Sequence, residues 1–232
     1  MNRESARDYG YVVQLEYPPA SYTSNALRQL VHELTAAFNF TGVQYSNDKQ
    51  DDVILSAPID QSHEIYRAGF SRTSIMLEKG LIQGGSAEVF SRSVEDVVGK
   101  AVKALHLQGF AQRVVIRVLV NPKGTNDSRE FIGNRICRFE RKHLECFNRP
   151  IHAVGLRCFF PPRNENEPEY DIKIETLLRD VSTIFIENTA SFPKIIAADD
   201  VKSVVANIAT TRNFIYNQVF TFLEQYNSES GK

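Results

Sequence analysis

Between Tyr9 and Tyr17 polar and apolar positions alternate, with aromatic and β-branched types among the apolar ones, until Pro18 and Pro19 close the run. A period of two sends successive side chains to opposite faces and predicts a strand. The period then changes. Leu27, Leu30, Val31, Leu34 and Phe38 recur at helical spacing, and Thr23 or Ser24 can cap the helix they imply. Short strands are expected over Phe40–Tyr45, Asp52–Ala57, Tyr66–Arg72 and Ser74–Lys79, with a turn at Gly84 and Gly85. A second helical stripe runs through Val94, Val97, Val98, Ala101, Val102 and Leu105, where Ser93 and Asp96 spell a capping box.

The order then starts again. RVVIRVLV, from Arg113 to Val120, predicts a strand. Asp127 with Glu130 offers a capping box for a helix reaching about Cys146. Strands are expected in Ile151–Phe160, Glu169–Leu177 and Thr183–Glu187, and a last helix from about Asp199, with Asp199 or Asp200 as its cap, to Tyr226. The fold class expected is therefore α+β: two similar strand-helix-meander-helix halves, 1–110 and 111–232, tightly joined, with a mainly antiparallel sheet and helices on one face. No residue identity links the two halves, so the repeat is one of element order.

Composition adds limits. Of 232 residues 42% are apolar, enough for a real core, and 27 Lys plus Arg against 28 Asp plus Glu leave a formal charge of -1. A chain so balanced offers no global field for nucleic acid or an anionic membrane, and any phosphate site must be a local patch. The first twenty residues lack the apolar core of a secretory signal, and no apolar run elsewhere is long enough to span a bilayer, so a cytoplasmic protein is expected. The cysteines, Cys137, Cys146 and Cys158, are too few for a disulfide framework.

YDIKIE, from Tyr170 to Glu175, holds the carboxylate-x-lysine half of a metal-dependent nuclease signature in Asp171 and Lys173. Such a site needs a further acid from a neighbouring element, and Ile151–Phe160 carries none. Simple alternation accounts for the motif better: Ile172 and Ile174 point inward, Asp171, Lys173 and Glu175 outward, and Arg157 is placed to meet Glu175 across strands. Neither His32, His63, His106, His143 and His152 nor the Cys137, His143, Cys146 trio has zinc-ligand spacing, and no nucleophile elbow or phosphate loop occurs. No catalytic residue, metal or cofactor is expected.

Two features remain as candidates for function. Arg135, Arg138, Arg141 and Lys142 recur at three and four residues and would share one face of the third helix, fit for phosphates or an acidic partner. Phe214, Tyr216, Phe220 and Tyr226 surround the last helix on more than one side, as expected where a helix packs on two surfaces or on a second copy of the chain. The segments AVGLRCFFP, YDIKIETLLRD and FIENTASFP, followed by a long terminal helix, resemble the latter third of sporadically distributed bacterial proteins of two α+β halves. This sequence departs from them in having no tryptophan. The resemblance implies a bacterial cytosolic protein and transfers no functional residue. The function expected is a non-enzymatic binding or protein-interaction role, self-association included. RNA or single-stranded DNA binding through the basic face, and an enzyme or ligand receptor with a pocket between the halves, are the alternatives.

Overall fold

The computed structural model describes residues 1–45, 52–58, 65–80 and 86–227, apart from the side chains of Arg141 and His143. His63 and the expected turn at Gly84 and Gly85 lie outside the described residues. The fold is mixed α+β, with a large antiparallel sheet and several helices.

The strands are β1 (Asn2–Glu16), β2 (Gly42–Tyr45), β3 (Val53–Ser56), β4 (Arg67–Phe70), β5 (Ser74–Lys79), β6 (Gly109–Asn121), β7 (Gly155–Phe160), β8 (Glu169–Leu177) and β9 (Asp180–Ala197). Each pairs antiparallel with its neighbours in the order β2-β3-β4-β5-β1-β6-β9-β8-β7. Registers align one row across the whole sheet: Val43, Leu55, Ala68, Leu77, Val13, Val114, Ala190, Tyr170, Phe160. From Leu55 to Ala190 these side chains are fully buried, each such aliphatic residue contributing ~1.5–3 kcal/mol when large. The row loses its cover at β7, where Phe160 is 46% exposed.

Helices α1 (Ser24–Phe38), α2 (Ala87–Leu105) and α4 (Val201–Phe214) pack side by side, α1 on α2 and α2 on α4. Their stripes fill the core: Leu27, Leu30 and Leu34 from α1, Phe90, Val94, Val97 and Ala101 from α2, Val204 and Ile208 from α4. Thr23 caps α1, its Oγ1 accepting from Ala26 N (3.2 Å). The cap of α2 differs from expectation. Ser86 holds it, accepting from Val89 N (3.1 Å), while Ser93 lies inside the helix and donates to Val89 O (3.1 Å).

The third helix also departs from its sequence pattern. A π-helical turn, Glu130–Ile136, is followed by a break in which Arg138 adopts φ 53, then by the four-residue α3 (Arg141–Leu144) and a 3₁₀ turn, Glu145–Phe147. The Cys137 N–H reaches Ile132 O and the Phe139 N–H reaches Gly133 O, closing the wide turn over Phe131 and Ile132, which are fully buried. Left-handed backbone at Arg138 ends the helix. β9 is much longer than the stretch expected for it. Asn188, Ser191 and Pro193 resemble loop residues, yet Asn188 Nδ2 donates to Thr211 O under α4 (2.9 Å) and Pro193 falls at a register shift against β6, where a ladder tolerates proline.

After α4 the last helix widens into a π turn, Ile215–Val219, before α5 (Phe220–Glu224). The stripe through Val204, Ile208 and Ile215 continues at Val219, Phe220 and Leu223, one position on from simple α-helical spacing. Asp8 anchors the widened segment: its carboxylate accepts from Tyr11 Oη (2.6 Å), Arg212 Nε (3.0 Å) and Tyr216 Oη (2.9 Å). No helix among the described residues is long and apolar enough to cross a membrane.

Candidate functional site

The expected basic residues occupy three local settings. The Arg135 side chain is only 12% exposed, donates to Lys123 O and Gly124 O, and lies over the Phe131 ring. Arg138 is exposed in the break, and Lys142 pairs with Glu140 (2.6 Å). Arg141 belongs to α3, its side chain outside the described part. The expectation that these residues share one helix face is corrected, because the π turn and the left-handed Arg138 rotate the chain between them.

The aromatic residues of the last helix divide between core and surface. Phe220 is fully buried, Tyr216 is held by Asp8, and Tyr226 meets Phe222 edge-on at 5.5 Å. Phe214 stacks on Tyr170 at 3.9 Å and stands 5.9 Å from Phe160.

YDIKIE lies on β8 with Ile172 and Ile174 buried. On the opposite face Arg157 grips Asp171 through Nε (2.6 Å) and a second nitrogen, a diagonal partner in place of the expected Glu175, which faces Gly155. That grip holds the Asp171 carboxyl below its ordinary pKa. Glu187 on β9 accepts from Lys173 Nζ (2.6 Å) and Arg117 Nε (2.8 Å). Burial works to raise the Glu187 pKa, but these bonds and charges outweigh it and leave the carboxyl below its usual value. Among the described residues no three His, Cys, Asp or Glu side chains converge as a metal site would need.

A groove lies on the helix side, between β7, β8 and the last helix. Its inner compartment, ≈ 360 Å³, has a floor of Cys158, Ile172 and Ile174 and a wall of Val219 and Phe222. An outer compartment of ≈ 610 Å³ adjoins it through Phe160, Phe214 and Gln218 and ends at Tyr170 and the Arg163–Glu167 ion pair (2.6 Å). The π turn accounts for this lining. Its extra residue commits Phe220 and Leu223 to the core and leaves Gln218 and Phe222 to the groove, and π turns recur at functional sites for this kind of reason. On the groove side Phe160 stays 46% exposed beside the Phe214 ring, 5.9 Å away, which itself stacks on Tyr170. Such clustering marks interaction surfaces, whereas isolated exposed apolar residues carry no meaning.

The groove is not legible in the sequence because its floor and inner wall, Cys158, Ile172, Ile174, Val219 and Phe222, read as core. One signal was available: consecutive Phe159 and Phe160 on a strand put a large ring on each face. Compared with family models, with curated proteins and with solved structures, the chain gave no match.

Proposed function

We infer that the protein is a non-enzymatic binding protein that receives apolar side chains of a protein partner in the groove between β7, β8 and the last helix. The observation that carries this reading is the apolar groove itself, open to solvent and walled by Phe160, Phe214 and Phe222. A concave apolar surface with a few polar groups at its rim is the usual form of a recognition site. Gln218, exposed on the π turn and shared by both compartments, supplies an amide that can orient a peptide group there.

The groove is built wholly from residues of 111–232. We take that segment and residues 1–110 as two joined units. Supporting this, strands run outward from the β1–β6 pair as β5, β4, β3, β2 on one side and β9, β8, β7 on the other.

A Gln218→Trp variant tests the assignment, because the indole fills the groove mouth without entering the core. Titration with a fluorescent apolar probe such as anilinonaphthalene sulfonate should show saturable binding to the native chain and at least a tenfold loss in the variant, a difference of about 1.4 kcal/mol. Equal binding by both proteins would refute the groove as the site.

A further inference from the structure

β7 is an outer strand of the sheet: among the described residues no strand pairs with its free side, and Gly155, Arg157, Phe159 and Phe160 are exposed. The Thr176 N–H donates to Val154 O (2.9 Å), which sets the phase of the β7–β8 ladder. Leu156, Cys158 and Phe160 fall in its hydrogen-bonded pairs, and Gly155, Arg157 and Phe159 turn their N–H and C=O groups outward. Among the described residues, no backbone bond outside that ladder reaches residues 155–160. Unpaired edges are normally blunted by lysine, proline or a bulge. β7 reads Gly-Leu-Arg-Cys-Phe-Phe in unbroken register, with Phe159 58% exposed.

We propose that β7 pairs antiparallel with β7 of a second copy of this chain, across a twofold axis at Cys158. The charge pattern selects this register. An axis at Arg157 sets that residue against Arg157 of the partner subunit, with Lys173 next in line on each side, and like charges directly opposite destabilise a sheet. An axis at Phe159 sets Arg157 opposite the partner's Pro161, which has no N–H to donate, and keeps one fully bonded pair, whereas an axis at Cys158 keeps two and leaves only Gly155 opposite the partner's Pro161. With the axis at Cys158, Arg157 faces the partner's Phe159, and the neighbour of Phe159 on β8 is Asp171. The guanidinium, which holds Asp171 of its own chain, then meets an aromatic ring whose β8 neighbour is the partner's Asp171, twice by symmetry. On the helix side Leu156 faces the partner's Phe160, the buried row continues past its exposed end, and the two grooves adjoin beneath a sheet twice as wide. An isologous contact of this form closes on itself and adds no further copies.

Native mass spectrometry and sedimentation velocity of the full chain test the proposal. A dimer is expected, and Phe159→Pro should abolish it while circular dichroism stays native, because only an outward N–H is lost. The register has its own check. Phe159→Lys places a cation against the partner's Arg157 and Phe159→Glu a carboxylate, so the lysine variant should dimerise roughly tenfold more weakly than the glutamate variant. Equal weakening by both would overturn the Cys158 axis. A native chain that stays monomeric at concentrations on the order of 100 μM, or a dimer indifferent to Phe159→Pro, would overturn the interface, as would recovery of a monomer with another protein's segment cross-linked to β7. Gln218→Trp should leave the subunit number unchanged, so this proposal and the groove assignment fail separately.

Discussion

Glu187 is the residue on which the open face of the sheet balances its charge. It lies between Arg117 on β6 and Lys173 on β8, half-buried, with both cations on its two oxygens. Its folded-state pKa is depressed, so its contribution to stability is present above the unfolded carboxylate pKa and is lost as pH falls through the folded value. Glu187→Gln should therefore cost about 1–2 kcal/mol near neutral pH. The difference from the native chain should shrink below about pH 4.3, as urea titrations at several pH values would reveal. A pH-independent difference would assign the effect to packing. Lys173 is thus spent on a structural pair, which answers the nuclease-like motif in chemical terms: its lysine and its aspartate each hold a different strand.

At the scale of elements, local chemistry placed most segments and misplaced several boundaries. The expected bounds of β5 and β8 coincide with the observed strands, because each is a clean alternation between turn residues. Ser93-x-x-Asp96 is a capping signature that predicts the start of α2 at Ser93, but Phe90 adds buried surface one turn earlier and Ser86 caps the longer helix. Ser86→Ala should lower stability by about 1 kcal/mol, measured as a shift in urea midpoint at constant slope. A cost near zero would show that the cap is dispensable. The π turns were not legible at all. One is held by burial of Phe131 and Ile132, the other by Asp8 and Asn188 reaching in from the sheet, and neither leaves a periodic trace in the chain.

For the molecule as a whole, β1 and β6 pair antiparallel in the middle of the sheet. Val13 opposite Val114, Tyr11 opposite Ile116 and Leu15 opposite Gln112 continue one core from one side of the sheet to the other. Unfolding should accordingly be a single cooperative transition, with calorimetric and van't Hoff enthalpies equal. Two resolved transitions would show that residues 1–110 and 111–232 come apart independently. The order of strands around this pair could not be read from sequence, since alternation tells which face a residue takes and not which strand lies beside it.

The sequence by itself determined the α+β class, the sites of most strands and helices, and the inward and outward faces of β8, because these follow from nearest-neighbour periodicity and capping. Tertiary structure decided the strand order, the ends of α2 and β9, the π turns, and with them the groove and the open edge of β7. Those depend on partners distant in the chain: the Asn188 amide beneath Thr211, the Asp8 carboxylate on Tyr216, and the end of the helix layer that leaves Phe160 uncovered.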